Sequence, residues 1–326
     1  MPANLTPEYK AAEARFRAAV TREEKLAALE DMLRVLPKHK GTDKLQADLR
    51  ARISKLKRQP AKKGAHAASH RIPREGAGQV ALVGPPNSGK SSLVALLTHA
   101  DPEVAEYPLT TREATPGMMP YQDIGFQLLD LPPLNDEHVE PWVYDLVRAA
   151  DLVWLVLSIT EPLEGFDVVE RFLGSRAIGL VPVTAAGPAE PRPGWTYLRA
   201  FMVVTGMDRP GARDDLAVLD ELLGSSWPKL GVSAVTGAGC DTLGRVTFDA
   251  LGIIRVYTKE PGEDADRDRP FTLPRGATVE DLARAIHQDF AETFKFARVW
   301  GASALDGQRV AAGHELAEGD IVELHV

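Results

Sequence analysis

One nine-residue segment, residues 84–92, has the composition of a loop that binds phosphate groups. Its sequence, Gly-Pro-Pro-Asn-Ser-Gly-Lys-Ser-Ser, fits the P-loop pattern G-x-x-x-x-G-K-[ST]. The pattern follows a predicted strand and opens a predicted helix, so its backbone amides can point at oxygen anions. In such a loop the lysine, Lys90, contacts the β- and γ-phosphates, and the next hydroxyl, on Ser91, coordinates Mg²⁺. A chance match in a glycine-rich turn is the alternative, and the strand–loop–helix context argues against it. The predicted nucleotide-binding residues here are Gly84, Asn87, Ser88, Gly89, Lys90, Ser91 and Ser92.

The elements that must position this loop follow from the pattern of apolar residues. Short apolar runs alternate with helical patterns, which predicts βαβ units and a mainly parallel sheet in an α/β domain over residues 77–252. Residues 182–194 are rich in Pro, Ala and Gly and predict a surface loop. The predicted strands of this domain are residues 80–83, 127–130, 152–157, 201–204 and 230–232.

The C-terminal residues, 253–326, change pattern again. A helix is expected to begin at Thr278, whose hydroxyl can cap it, with Glu280 and Asp281 in the first turn. Strands are expected around it, which makes this segment a small α+β domain. The predicted strands are residues 253–257, 271–273, 297–300 and 321–325.

The N-terminal residues, 1–76, are helical and basic by pattern. Apolar spacing predicts one helix over residues 6–36 and a second around residues 45–56, which could pack as a hairpin, with residues 60–76 as a mobile linker. The segment holds 18 Lys and Arg against nine Asp and Glu, whereas the rest of the chain holds 20 against 37. This asymmetry favours a polyanion, most plausibly ribosomal RNA, as the partner of the basic end; a merely solvated helix face is the alternative. The candidate RNA-binding residues are Arg50, Arg52, Lys55, Lys57 and Arg58.

Composition excludes several other classes of protein. Apolar residues make up 44% of the 326 residues and charged residues 26%, an ordinary globular balance. The single cysteine, Cys240, cannot form an internal disulfide and suits a reducing compartment. No apolar run approaches the length of a membrane span, and the first residues do not have the layout of a signal peptide. We therefore expect a cytoplasmic protein with no membrane partner.

Several long runs of residues resemble one known group of proteins. Residues 37–42 with 49–58 are similar to the basic N-terminal region of the developmentally regulated GTP-binding (DRG) family, one of the Obg-related TRAFAC GTPases. Residues 254–262, 275–279 and 294–301 resemble that family's TGS domain. The resemblance spans nearly the whole chain and implies a P-loop GTPase (G) domain followed by a β-grasp TGS domain. In related proteins the TGS module associates with ribosomes or tRNA-linked machinery. The family's inserted domain is missing, because only residues 174–199 lie in its interval.

The resemblance also implies metal ligands. The segment Thr-Thr-Arg-Glu at 110–113 resembles the switch I motif, in which the Thr111 hydroxyl completes Mg²⁺ coordination, with Thr110 as the reserve choice. Asp130 sits in the family's Asp-x-Pro-Gly motif and would hold Mg²⁺ through water. Pro133 replaces the glycine whose N–H contacts the γ-phosphate, and proline has no N–H. Asn87 occupies a position that ligates K⁺ in some relatives.

The base-reading motif survives in part. The segment Thr-Gly-Met-Asp at 205–208 aligns with Asn-Lys-x-Asp, so Asp208 keeps the carboxylate that accepts guanine N1–H and the 2-amino group. Thr205 and Gly206 replace the Asn that braces the loop and the Lys whose stem covers the base, which predicts lower affinity. Ser233 and Ala234 resemble the last motif, whose backbone contacts the guanine oxygen.

The sequence therefore supports two main hypotheses. The first is a slow GTPase that binds GTP and GDP with Mg²⁺, docks on the ribosome, and needs K⁺ or a regulatory protein partner. The second is a pseudo-GTPase, a ribosome- or RNA-binding module without meaningful catalysis. Pro133 and the pair Thr205-Gly206 favour the second hypothesis, whereas the intact P-loop and Asp130 oppose it. A P-loop ATPase is a distant third, because Asp208 argues against adenine.

Overall fold

The structure, a computed structural model, divides into two compact units, Met1–Ser69 and His70–Val326. In the first unit it describes residues 22–36 and eight isolated residues, and in the second it describes residues 72–98, 114–135, 139–288 and 294–325. Among the helices in this described part of the chain, none is both long and apolar enough to cross a membrane.

The described residues of the first unit are helical, apart from a bend at Leu36. Helix α1 spans Arg22–Val35, and the isolated described residues fall in helical conformation as well. The buried apolar side chains of this unit form their own cluster, as the predicted periodicity requires. Its buried members are Tyr9, Ala12, Leu29, Met32, Leu36, Leu49 and Ile53.

The second unit begins with an α/β domain built on a seven-stranded sheet. The strand order is β2-β3-β1-β4-β6-β5, with β7 pairing the second half of β6. Only the β2–β3 pair is antiparallel, so the predicted, mainly parallel sheet is confirmed. The strands are β1 Gln79–Val83, β2 Thr115–Tyr121, β3 Ile124–Asp130, β4 Leu152–Ser158, β5 Ile178–Pro182, β6 Thr196–Thr205 and β7 Lys229–Val232. The helices are α2 Lys90–Leu97, α3 Pro141–Ala149, α4 Pro162–Gly174, α5 Ala212–Leu223 and α6 Leu243–Leu251.

Helices cover both faces of this sheet, which explains why its central strands are apolar on both sides. Side chains of α3, α4 and α5 pack with Leu155 and Met202 on one face. Side chains of α2 and α6 pack with Trp154 and Phe201 on the other. The continuous run over 152–157 is thus the signature of a strand buried between two layers.

The sequence analysis missed two strands of the α/β domain, β2 and β5, and the short strand Gln308–Val310 of the C-terminal domain. β2 contains Pro116, Gly117 and Pro120, residues that normally argue against a strand, but it lies at the sheet edge where a missing N–H is tolerated. β5 is short, contains Gly179 and Pro182, and lies beside the first half of β6. The interval of the family's inserted domain therefore holds this strand, and the loop predicted over 182–194 follows it.

The last part of the predicted linker is bound to the α/β domain. Residues 60–71 lie outside the described residues, but residues 72–76 are described and make contacts. The Arg74 guanidinium pairs with Asp151 at 2.9 Å, and Ile72 packs against the core. Gly76 forms an isolated antiparallel bridge to Phe126. The expectation of a mobile linker is therefore wrong for residues 72–76, because the ion pair of Arg74, the backbone bridge of Gly76 and the packing of Ile72 fix them.

In its described residues, the C-terminal domain is a five-stranded mixed sheet with one helix packed on it. The strand order is β11-β10-β12-β8-β9, and β12 runs parallel to β8. Val279 and Leu282 of the helix pack with the inward side chains of the sheet. The elements are β8 Ile253–Thr258, β9 Asp266–Pro274, α7 Val279–Ile286, β10 Phe296–Trp300, β11 Gln308–Val310 and β12 Ile321–His325.

The predicted cap at Thr278 is confirmed. The Asp281 N–H donates to the Thr278 hydroxyl, and the Asp281 carboxylate accepts the Thr278 N–H at 2.8 Å. The hydrogen bond from the Thr278 backbone holds the pKa of Asp281 below its ordinary value. A cap of this kind stabilises a helix by about 1 kcal/mol.

A polar contact joins the two domains of this unit, and we call it the hairpin contact: Asp123, Arg255, Tyr257 and Glu318. Asp123 lies in the turn between β2 and β3, where its carboxylate pairs with the Arg255 guanidinium and accepts the Tyr257 hydroxyl. Arg255 also donates its Nε–H to Glu318 at 2.7 Å. Burial alone would raise the pKa of Asp123, but the hydrogen bonds from Tyr257 and Arg255 outweigh it and hold the pKa below its ordinary value.

Candidate functional site

The phosphate loop lies between the end of β1 and the start of α2, as the motif requires. Gly84 is buried, and a Cβ there would lie 2.2 Å from the Val156 carbonyl oxygen. Gly89 adopts φ +88° immediately before the helix. Both glycines are therefore required by the backbone path, which turns the amides at the start of α2 toward the space above the loop.

The Lys90 ammonium is held inside this loop. It donates to the carbonyl oxygens of Gly84 at 3.0 Å and Pro85 at 2.9 Å, and to the Ser88 hydroxyl at 3.2 Å. The residue is only 5% exposed. Burial lowers the pKa of Lys90 to about 8, against the opposing negative charge of Asp130. A desolvated cation fixed at this position is suited to neutralising phosphate oxygens.

The geometry of Asp130 and Ser91 fits a divalent cation. Asp130 ends β3 beside Leu82 of β1, and burial raises its pKa, while a hydrogen bond from Ser91 and the charge of Lys90 oppose the rise. Within the described part of the chain, the buried Oδ1 of Asp130 has no hydrogen-bond partner. An orphaned carboxylate oxygen next to a hydroxyl is the kind of hard-oxygen donor set that Mg²⁺ prefers. The other predicted ligand, Thr111, and its reserve, Thr110, lie outside the described residues.

The segment after Asp130 lies against the phosphate loop. Leu131 and Leu134 are buried, and the Leu134 N–H donates to the Gly84 carbonyl at 3.2 Å. Pro133 has no N–H, and the next N–H along the chain, that of Leu134, is already bonded to the Gly84 carbonyl. This arrangement supports the sequence argument that residue 133 offers no hydrogen bond to a third phosphate.

A threonine hydroxyl braces the base-reading loop. Thr205, at the end of β6, replaces the asparagine that braces this loop in the family. Its buried hydroxyl donates to the Ser88 carbonyl of the phosphate loop at 2.8 Å. A short hydroxyl therefore joins the two loops, because the end of β6 lies directly beside residue 88.

The structure brings Asp208 together with Ser233 and its neighbour Ala234. The Ser233 hydroxyl donates to Asp208 Oδ1 at 2.6 Å and accepts the backbone N–H groups of Val235 and Thr236. This hydrogen bond lowers the pKa of the exposed Asp208. The Ser233 side chain therefore orients the carboxylate, a role that the sequence analysis missed because it assigned only backbone contacts to this motif. The sequence signal would have been a hydroxyl directly after β7.

The candidate RNA-binding residues are only partly described. Arg50 and Arg52 lie on the surface of the first unit. Lys55, Lys57 and Arg58 lie outside the described residues, so the basic surface remains a prediction.

Comparison with known proteins agrees with this geometry. A family profile described as a 50S ribosome-binding GTPase matches residues 79–179, and the TGS domain profile matches residues 254–326. The chain is 30% identical to an uncharacterized GTP-binding protein of Halobacterium salinarum, over 93% of this chain and 98% of that protein.

Two further relatives carry more specific names. The chain is 26% identical to Ribosome-interacting GTPase 1 of Saccharomyces cerevisiae, over 92% of this chain and 98% of the relative. It is also 26% identical to Developmentally-regulated G-protein 2 of Arabidopsis thaliana, over 92% and 90% of the two chains. Among solved structures, the YchF GTPase of Schizosaccharomyces pombe has a TM-score of 0.51 at 13% identity, covering 78% of this chain and 99% of that one, a likeness of fold alone.

Proposed function

Since this chain belongs to the DRG-type family of GTP-binding proteins, we propose that it binds GDP and GTP with Mg²⁺ and acts with the ribosome in the cytoplasm. The observation that carries the proposal is the hydrogen bond from Thr205 to Ser88. It joins the loop that holds the Lys90 ammonium to the strand that leads to Asp208. One ligand with phosphates at one end and a base at the other fits this arrangement.

Guanine is the base that suits Asp208. A carboxylate held by Ser233 can accept two N–H groups from the guanine edge, whereas adenine presents an acceptor at N1. An unpaired polar group at such a contact costs about 1–3 kcal/mol, which corresponds to about 5- to 150-fold in affinity.

For hydrolysis, we propose in-line attack of water on the γ-phosphorus, with cleavage of its bond to the β–γ bridging oxygen and release of GDP and phosphate. The Lys90 ammonium stabilises the developing charge. Mg²⁺, held by Ser91, Asp130 and Thr111, would supply further neutralisation. Turnover is expected to be slow because residue 133 has no N–H for the third phosphate. Stabilisation of the γ-phosphate that residue 133 cannot provide would then come from the ribosome, from a regulatory protein partner, or from K⁺ bound near Asn87.

The second candidate function is a pseudo-GTPase that binds ribosomes or RNA without meaningful turnover. One specific observation favours it, the hydrogen bond from the Leu134 N–H to Gly84, which holds the segment after Asp130 against the phosphate loop. Such a segment cannot respond to the third phosphate unless this bond breaks.

Titration calorimetry with GDP, GTP and ATP, followed by phosphate-release assays with and without ribosomes, tests these proposals. GTP binding with phosphate release that is lost in Lys90→Ala supports the GTPase, and binding without release supports the pseudo-GTPase. Equal affinity for ATP and GTP would contradict the role of Asp208, and absence of binding at millimolar GTP would contradict both functions. Repeating the release assay in K⁺ and in Na⁺ tests the role of Asn87.

Ribosome association has a separate test. Changing Lys55, Lys57 and Arg58 to Glu should abolish cosedimentation with ribosomes at physiological salt, because phosphate contacts dominate RNA affinity. The matched control reverses three exposed arginines of the second unit, Arg213, Arg245 and Arg267. Unchanged sedimentation of the first variant would refute the assignment of RNA contact to the basic end.

A further inference from the structure

The loop between β6 and α5 contains a tight turn that places two distant side-chain positions together. The Arg209 N–H donates to the Gly206 carbonyl at 3.1 Å, which closes the turn over residues 206–209. Gly206 has φ +86° and no side chain. The wall of the site next to Asp208 therefore has a vacant side-chain position at residue 206.

The side chain of Arg209 passes over this vacant position. A Cβ built on Gly206 would lie 3.5 Å from Arg209 Nε and 3.6 Å from Arg209 Cδ. On the other side it would lie 3.2 Å from Ile159 Cγ2. The guanidinium end of Arg209 thus begins where a side chain at residue 206 would begin, with apolar Ile159 beneath it.

The Arg209 guanidinium is not committed elsewhere. The residue is exposed, and within the described residues its side chain forms neither an ion pair nor a hydrogen bond at the distances that define them. Its nearest charged neighbour in sequence is Asp208, whose carboxylate accepts the Ser233 hydroxyl; that hydrogen bond and, to a smaller extent, the charge of Arg209 lower the pKa of Asp208. An exposed planar cation therefore lies one residue from the carboxylate that we propose reads the base edge.

We propose that Arg209 covers one flat face of the bound guanine and so replaces the side chain that Gly206 lacks. This proposal rests on the proposed function, because it needs a base held at its edge by Asp208. The guanidinium plane stacks well on aromatic surfaces and is weakly hydrated, so it can shield a base that would otherwise face water. Asp208 then selects the base by its edge, and Arg209 adds affinity through its face.

Two other roles of Arg209 make different predictions. If Arg209 only attracted phosphates, its loss would weaken every phosphate ligand, with or without a base. If it only supplied positive charge beside Asp208, lysine would replace it fully. A stacking role requires a base in the ligand and a planar cation at residue 209. Comparing ligands with and without a base, in the alanine and lysine variants, therefore distinguishes the three roles.

The experiment is titration calorimetry of the full chain with GDP and with pyrophosphate, both with Mg²⁺. The variants are Arg209→Ala and Arg209→Lys, with Arg213→Ala, an exposed arginine on α5, as the charge-matched control. Removal of a stacking partner costs about 1–3 kcal/mol per base, so Arg209→Ala should weaken GDP binding about 5- to 150-fold. Pyrophosphate binding should stay within about twofold, Arg209→Lys should recover GDP binding only in part, and the control should match the wild type.

Three results would overturn the proposal: unchanged GDP affinity in Arg209→Ala, an equal loss for pyrophosphate, or full recovery by lysine. Thermal unfolding without ligand shows whether Arg209→Ala is folded, and Arg209→Gln provides a second variant if it is not. If the wild type itself failed to bind GDP, the proposed function would fail, a result distinct from all three.

Discussion

The phosphate loop and the base-reading loop keep their geometry in different ways. The phosphate loop keeps every residue of its motif, and its glycines are required because Gly84 meets the Val156 carbonyl and Gly89 needs a positive φ. The base-reading loop loses two motif residues, yet Thr205 braces it to Ser88. A loop that works through its backbone depends on fixed glycines, whereas a loop that works through a few side-chain atoms can obtain them from other residues.

The largest effect is expected at the phosphate loop. Lys90→Ala removes a buried ammonium that donates to two carbonyls and a hydroxyl of that loop. Charge-assisted hydrogen bonds contribute about 1.5–3 kcal/mol each, so GDP affinity should fall about 100-fold or more by calorimetry. If Lys90→Ala unfolds at the wild-type temperature and its GDP affinity falls by less than about threefold, nucleotide binding does not depend on the phosphate loop as the comparison requires.

The next effect is expected at the base edge. Asp208→Asn replaces one acceptor oxygen by a donor group, so the preference for GDP over ADP should fall about tenfold or more. Ser233→Ala frees the same carboxylate from its hydrogen bond and should cost less, about three- to tenfold. Calorimetry with both nucleotides measures the ratio, and an unchanged ratio in Asp208→Asn would show that the base is read elsewhere.

A smaller effect is expected from the brace between the loops. Thr205→Val keeps the shape of the side chain but leaves the Ser88 carbonyl without its hydroxyl donor, so GDP affinity should fall about five- to tenfold. Thr205→Ser keeps the donor and serves as the control. Equal affinity of the valine variant and the wild type would mean that the loops hold their positions independently.

The hairpin contact lies outside both loops, so changing it should have the smallest effect on nucleotide affinity. The quantity to measure there is the free energy of unfolding. The folded pKa of Asp123 is below its ordinary value, so its charge stabilises the fold above about pH 4 and this stability is lost as pH falls further. Urea unfolding should therefore show Asp123→Asn less stable than the wild type by about 1 kcal/mol at pH 7. This difference in the free energy of unfolding should disappear below about pH 4. A difference that does not change with pH would exclude the Asp123 charge as its source.

Sequence patterns predicted the parts of this molecule that depend on neighbours along the chain. The continuous apolar run over 152–157 identified a strand buried on both faces, and the hydroxyl of Thr278 identified a helix start. β2 was missed because Pro116 and Pro120 look like strand breakers, and their place at the sheet edge depends on pairing with β3.

The sequence indicated the candidate site residues but not the contacts between them. The P-loop spacing identified Lys90 and Ser91, since backbone geometry over nine residues determines that motif. The hydroxyls of Thr205 and Ser233 act on residues 117 and 25 positions away, respectively, which no local pattern reports. The place of Arg209 over Gly206 depends on a turn with a positive φ and became visible only in three dimensions.

The hairpin contact makes the β2–β3 ribbon a connection between the C-terminal domain and Asp130. At one end of the ribbon the turn at Asp123 rests on Arg255 and Tyr257 of the C-terminal domain. At the other end Thr115 pairs with Asp130, the carboxylate beside Lys90 and Ser91. Seven paired residues separate these ends, a stiff span of about 20 Å. The C-terminal domain is therefore connected by one continuous hydrogen-bonded ladder to Asp130, the carboxylate that we propose as a metal ligand.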